Sequence, residues 1–528
     1  MLFTSYSFLA FLTVLMIAYW LVPKRWQWGL LLVGSYTFYA FSGLENIAFI
    51  LLTTLSSFLV ALFMEKNRER EESYLSANRE TLEKEERKAY KAREKKKRFN
   101  ILVAGLVLNF GLLAVIKYTA FAVNNLNSLI TLFGGSKLTV PSLLLPMGIS
   151  FYIFQSMSYL IDVYRGKAKC ERNPFKFALF VSFFPQLVQG PISRFSALGE
   201  QLTTPHTFSA KEFTFGIQRV LWGFFKKLVI ADRILVAMNT MLDSPEEYRG
   251  AYVALLILLY SAEIYADFTG GIDITIGIAQ MLGIRLQENF NRPFSSHSTK
   301  EYWNRWHITM GSWFTDYVFY PLSVCRPMLK LSKLSRKHLG NNIGKRIPVY
   351  LATIVTWFLT GLWHGAGWNF IVWGLLNCLV ILVSQELEPL YAKFRARFPK
   401  LTASKPYGDF MAIRTFLLMG LIRSLDCYRN VGMTFSMWGS MLTVMNLGEM
   451  LSNIGDLGLG LADFVIIIVG IAVIFTVSKL SAKGSVRERL YERPLLSFAL
   501  SSALFVAILL FGAYGIGYDS AQFIYNQF

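Results

Sequence analysis

Leu362-Trp363-His364-Gly365-Ala366-Gly367-Trp368-Asn369 separates two apolar runs, residues 347–363 and 368–384. Each run is close to the roughly 20 residues that carry a helix across a bilayer, so the stretch reads as two membrane helices joined by a glycine-rich break. His364 stands at that break. An imidazole in so apolar a setting has no cheap solvation and must find partners in the protein or line a wet cavity. A second histidine, His307, closes Tyr302-Trp303-Asn304-Arg305-Trp306-His307, where a guanidinium, an amide and indole donors crowd one ring. Both are candidates for chemistry.

Working outward, apolar runs recur near residues 3–22, 28–42, 46–64, 99–116, 143–161, 175–190, 214–231, 251–268, 463–479 and 495–515. With the two around His364 they predict about twelve crossings. Shorter apolar or amphipathic pieces near 119–133, 271–284, 303–320 and 409–424 read as re-entrant, interfacial or spanning. The chain is 54% hydrophobic and 15% aromatic. The expected fold is all-α, a polytopic transmembrane helical bundle with re-entrant or interfacial helices, forming one membrane domain over residues 1–528. The first run lacks a basic leader and a small-residue cleavage site, so it reads as a retained helix.

Charge is unevenly placed. The 53 Lys and Arg against 34 Asp and Glu give +19, but the excess falls between apolar segments, which points to membrane topology and anionic headgroups, not to nucleic acid. Lys24 and Arg25, residues 65–98, Lys226 and Lys227, and residues 326–346, 393–400 and 487–493 predict cytoplasmic loops, which places both termini outside the cytoplasm. Residues 65–98 carry thirteen basic and nine acidic residues without Pro or Gly, and Glu83 lies four before Arg87. That pattern predicts a solvated helix or helical hairpin, a charged cytoplasmic insert, with a partner-docking arm as the alternative. The four cysteines show neither disulfide nor zinc-ligand spacing, so no metal site is expected.

The densest polar region runs from Tyr265-Ala266-Asp267-Phe268-Thr269-Gly270-Gly271 through Glu288-Asn289-Phe290-Asn291-Arg292-Pro293 to His307 and Asp316-Tyr317. Buried polar groups are unfavourable unless mutually satisfied, so this stretch must pack as a hydrogen-bonded network or face a cavity. Together with residues 184–194 (Phe-Pro-Gln-Leu-Val-Gln-Gly-Pro-Ile-Ser-Arg), 223–232 (Gly-Phe-Phe-Lys-Lys-Leu-Val-Ile-Ala-Asp) and 361–374, it resembles the membrane-bound O-acyltransferase family. The resemblance is to the branch of alginate O-acetyltransferase-type membrane subunits and covers most of residues 1–390. Beyond that it rests mainly on the last helix and tail.

The resemblance implies acyl transfer, with His364 matching the near-invariant family histidine and His307 the second one. A neutral imidazole suits the task, since it can take a proton from an attacking hydroxyl and return one to a leaving thiol, typically worth roughly 10²–10⁴-fold. No Gly-x-Ser-x-Gly elbow occurs. Asn304, Arg305 and Asp316 are candidate donor or tunnel contacts, although an internal salt bridge explains them equally well. Thr315 stands where relatives commonly carry arginine. The tail Phe523-Ile524-Tyr525-Asn526-Gln527-Phe528 resembles the branch's aromatic C-terminal hexapeptide, with Asn526 departing from it, and makes Tyr525 a candidate acyl relay within an extracytoplasmic tail, residues 519–528. An interfacial anchor is the alternative.

The implied protein is a multi-pass enzyme of the bacterial plasma membrane that moves acetyl from a cytoplasmic thioester, acetyl-CoA, towards a cell-surface or exported polysaccharide. No bound cofactor is expected. An extracytoplasmic acetyltransferase partner would complete the transfer. D-alanyl transfer to teichoic acid is the rival within the class, and a non-enzymatic transporter or scaffold of a polysaccharide export complex the rival outside it.

Overall fold

A computed structural model describes residues 3–514, so the tail with Tyr525 lies outside the described residues. The regular structure of the described residues is helical, apart from one isolated β-bridge. Two compact units result, residues 1–213 with 278–287, and residues 214–277 with 288–528.

The first unit contains α1 (Tyr6–Leu21), α2 (Gln27–Ala40), α3 (Leu44–Ala77), α4 (Lys84–Leu132), α5 (Ile149–Arg165) and α6 (Pro174–Ser182). Helices α3 and α4 continue past their apolar segments into a charged hairpin over residues 65–98. The sequence favours this locally. Helix breakers are absent, and Glu86 reaches back to accept from the Glu83 amide at 3.1 Å, capping α4. Across the stem Arg98 pairs with Glu71 at 2.5 Å, Asn67 donates to Glu94 at 2.7 Å, and Tyr74 stacks on Tyr90 with centroids 4.3 Å apart.

Residues 175–190 do not form the expected span. Helix α6 stops at Ser182, a second short helix covers Phe184–Leu187, and every residue from 177 to 193 is buried. The segment is apolar because it is protein core. Gln155 and Gln186 both donate to the Phe180 carbonyl, at 2.8 and 3.4 Å, which satisfies the backbone where the helix breaks.

The second unit takes most of α7 (Ala210–Phe224), then a π-helical segment (Phe225–Ala231), α8 (Asp232–Asp243), most of α9 (Ala251–Met281), α10 (Thr299–Arg305), α11 (Ile308–Phe314), α12 (Arg326–Gly344), α13 (Ile347–His364), α14 (Trp368–Glu386), α15 (Lys405–Tyr428), α16 (Val431–Thr443), α17 (Leu461–Ser481) and α18 (Pro494–Phe511). Glycines let α7 and α9 cross closely. A Cβ on Gly223 would sit 2.5 Å from the Gly270 carbonyl oxygen, and one on Gly277 would sit 2.7 Å from that of Gly216. Any side chain would force the helices apart.

The extra residue of the π-helical turn brings two consecutive lysines inward. Lys226 Nζ bonds Asp273 at 2.6 Å and Thr269 at 2.7 Å, while Lys227 Nζ lies 2.7 Å from both Asp232 and Asp267. These two lysines were expected in a cytoplasmic loop. They are instead buried within a helix, neutralising acids of α8 and α9, and removing one partner from such a pair costs about 3–5 kcal/mol.

Seven helices of the described residues are long and apolar enough to cross a membrane: α3, α4, α9, α13, α14, α17 and α18, with α1 shorter but apolar. The expectation of about twelve crossings counted buried core segments such as α5 and α6, because core and lipid-facing helices share one composition. The polytopic helical fold itself is as expected.

Candidate active site

The site grows from a backbone clasp in the second unit. Phe290 and Trp306 form the antiparallel bridge, flanked by Asn291 N–H to the Arg305 carbonyl at 2.9 Å and Ile308 N–H to the Asn289 carbonyl at 3.0 Å. Ser298 caps α10, its hydroxyl accepting from the Glu301 amide at 3.2 Å. Between α10 and α11 the chain turns through His307 at φ 48°, a left-handed conformation that a non-glycine residue holds at a cost of about 1–3 kcal/mol. The clasp over-determines that turn and fixes where the imidazole goes.

His307 is completely buried. Its Nδ1 lies 3.2 Å from Asn289 Oδ1, the atom that also receives the Thr309 amide at 3.0 Å and the Thr309 hydroxyl at 2.9 Å. A backbone N–H can only donate, so this Asn289 atom is the oxygen, and His307 Nδ1 must carry the hydrogen it shares with it. The lone pair is therefore on Nε2. Residue 307 lies outside the seven apolar spans. Burial, and then the positive charge of Arg423, push its pKa down to about 3, so the ring is neutral at physiological pH.

His364 is held differently. It ends α13, followed by extended backbone at Gly365 and Gly367 before α14 begins. A Cβ on Gly365 would lie 2.0 Å from the Phe370 ring, so only glycine lets this break close. The His364 ring is only partly buried, packed between Trp363 at 5.1 Å and Trp373 at 4.6 Å. Trp363 also meets the His307 ring at 5.9 Å. One indole thus links the two imidazoles. Trp373 belongs to a cluster with Ile422 and Leu425 of α15, against which Trp303 and Trp357 pack.

The sequence profile of the MBOAT, membrane-bound O-acyltransferase family, matches residues 171–422. The protein named probable alginate O-acetylase AlgI of Azotobacter vinelandii is 36% identical over 390 residues, covering 74% of this chain and 69% of that protein. The chain belongs to the membrane-bound O-acyltransferase family. It is accordingly a multi-pass membrane enzyme, an O-acyltransferase, which sets aside the non-enzymatic reading. Peptidoglycan O-acetyltransferase of Helicobacter pylori is 32% identical over 57% of this chain and 58% of that protein. Teichoic acid D-alanyltransferase of Bacillus subtilis is 27% identical over 47% of this chain and 61% of that protein.

Within this acyltransferase the structure brings His307 and His364 together through Trp363, while Tyr525 lies outside the described residues. Asn304 is exposed on α10. Arg305 turns back on its own loop, bonding Glu301 at 2.6 Å and the Ser295 hydroxyl at 2.8 Å. Asp316 is exposed on a second π-helical turn, Thr315–Phe319.

Other residues of the site were not singled out from the sequence. Asn289 sets the His307 tautomer, and Arg219 anchors its neighbour by gripping Glu288 with two bonds of 2.6 and 2.5 Å while bonding Asp273 at 2.8 Å. Arg423 of α15 stacks over Trp306 at 4.3 Å. The signal for Arg423 was available: it is a lone guanidinium in the otherwise apolar stretch Phe416-Leu417-Leu418-Met419-Gly420-Leu421-Ile422-Arg423, and a charge there marks function by default.

Proposed function

We propose that this O-acyltransferase moves an acetyl group from a cytoplasmic thioester, acetyl-CoA, across the bacterial plasma membrane for O-acetylation of an exported polysaccharide. In the transfer step a hydroxyl oxygen attacks the thioester carbonyl carbon, His364 takes the hydroxyl proton, the carbon–sulfur bond breaks, and the proton passes to the departing sulfur. His307, neutral and locked by Asn289, positions the reacting groups. The observation that carries this division of labour is the contrast in setting: His364 is half-buried at a helix break, with its Nε2 sheltered inside the protein, whereas the whole of His307 is enclosed. A base with its pKa near 3 is also too weak to lead proton transfer at neutral pH.

Basic segments such as residues 326–346, largely helix α12, support a cytoplasmic face for donor entry, with Asn304, Arg305 and Asp316 as candidate donor contacts. A donor inside and a polymer outside cannot both reach the roughly 3–3.5 Å needed for attack. Tyr525 is the proposed relay: it takes the acetyl as a phenyl ester and yields it to an extracytoplasmic acetyltransferase partner. The similarity to a teichoic acid D-alanyltransferase supports a second reading, D-alanyl transfer. Hydrolysing esters from the purified polymer separates the two, acetate for the first and D-alanine for the second. Tyr525→Phe keeps the aromatic ring and deletes the hydroxyl. We expect it to abolish polymer ester at normal protein level, and ester at the parental rate would leave the tail as an anchor only.

A further inference from the structure

We infer that Arg423 is the anion-binding residue of the active site, its guanidinium taking an anionic oxygen of the acyl donor. The inference rests on the acyl-transfer reading above and deepens it. Arg423 is 5% exposed, and its guanidinium carbon lies 4.3 Å above the Trp306 ring, the residue immediately before His307. Its charge also acts on the Tyr302 phenol, one turn back on α10. Its Nη2 has no hydrogen-bond partner among the described residues. A guanidinium offers five N–H donors in a fixed fork, and burying it beside an indole face and one phenol leaves part of that fork unused.

The nearest carboxylate along the helix does not resolve this. Asp426 accepts from the Tyr260 hydroxyl at 3.1 Å and feels the Arg423 charge, but Arg423 Nη2 stays without a hydrogen-bond partner among the described residues. By contrast, the two lysines buried in this unit are matched: Lys227 with Asp232 and Asp267, and Lys226 with Asp273. A buried cation with an unpartnered donor, set on the motif that carries His307, is arranged to receive negative charge from a ligand. Acyl transfer supplies it. As the hydroxyl oxygen bonds to the thioester carbon, the carbonyl π electrons move onto oxygen, and they return when the carbon–sulfur bond breaks. The donor's phosphates offer the same oxygen chemistry by another route, at binding and not at reaction.

The test uses full-length protein in the polymer-producing strain, comparing Arg423→Gln with Arg423→Lys at matched membrane levels. Polymer ester, the melting temperature in detergent, and thiol release from acetyl-CoA by isolated membranes are measured. Arg423→Gln is expected to lower ester by roughly 10²–10³-fold with a near-parental melting temperature, and Arg423→Lys to retain a measurable part. A fall in kcat at unchanged KM assigns the oxygen to the reacting carbonyl, and a raised KM assigns it to a donor phosphate. Parental ester in Arg423→Gln overturns the inference. So does equal loss in both variants with a lowered melting temperature, which makes Arg423 a packing residue. If parental membranes make polymer ester but release no thiol from acetyl-CoA, the donor reading fails, while the difference between the Gln and Lys variants still decides the role of Arg423.

Discussion

His307 and His364 share one indole neighbour and little else. His307 sits in a strained turn, fully enclosed, its Nδ1 proton assigned by an asparagine that the backbone in turn holds. His364 ends a helix at a glycine break, walled by Trp363 and Trp373 and partly open. The difference teaches how one apolar bundle assigns two jobs to one residue type. Enclosure and a fixed tautomer make a positioning group that stays neutral, and a break in the helix makes a half-buried ring that is not locked by a clasp.

The comparison can be broken most severely through Asn289. Asn289→Ala removes the oxygen that holds the His307 proton and leaves the Thr309 donors unsatisfied. Polymer ester should fall about 10–100-fold, as for other groups that orient a functional histidine, and the fold should lose about 1–3 kcal/mol. Unchanged ester in Asn289→Ala would mean the His307 tautomer is irrelevant to turnover.

Acid stability sharpens the same contrast by a smaller effect. His307 has its folded-state pKa depressed, so below the unfolded value near ~6.5 the unfolded chain binds a proton that the folded chain does not. Stability should therefore fall as pH drops from about 6.5, by up to about 1.4 kcal/mol per pH unit from this group alone. His307→Gln removes that contribution, and the melting temperature of the variant should depend less steeply on pH over this range. Parallel curves for parent and variant would contradict the neutral, enclosed assignment. The smallest effect is expected far from both histidines. Trimming residues 68–95 removes only the charged hairpin tips, and ester should fall much less than on loss of either histidine. Complete loss in a correctly inserted variant would make the hairpin functional.

The sequence made the helical class, the helix break at His364 and the family legible, because glycines flanking a histidine between two apolar runs admit few other readings. It misled where one composition serves two environments. Residues 175–190 are as apolar as a span, but from 177 onward they are wholly buried core. Lys226 and Lys227 look like topology signals, and only the π-helical turn, which leaves no trace in an apolar period of 3.6, turns them inward. Asn289 was hidden for another reason: its role depends on a bridge between segments that composition cannot pair. Arg423 was overlooked within a run read only for its amphipathicity.

The central claim is that His364 carries the proton while His307 holds the geometry. Glutamine is the direct probe, since it keeps a neutral hydrogen-bonding side chain but cannot shuttle a proton as imidazole does. Polymer ester per folded, membrane-inserted protein should be measured for His364→Gln and His307→Gln side by side. We expect His364→Gln at the level of a strain lacking the protein, and His307→Gln reduced but clearly above it. Substantial ester from His364→Gln, with none from an equally well inserted His307→Gln, would reverse the roles.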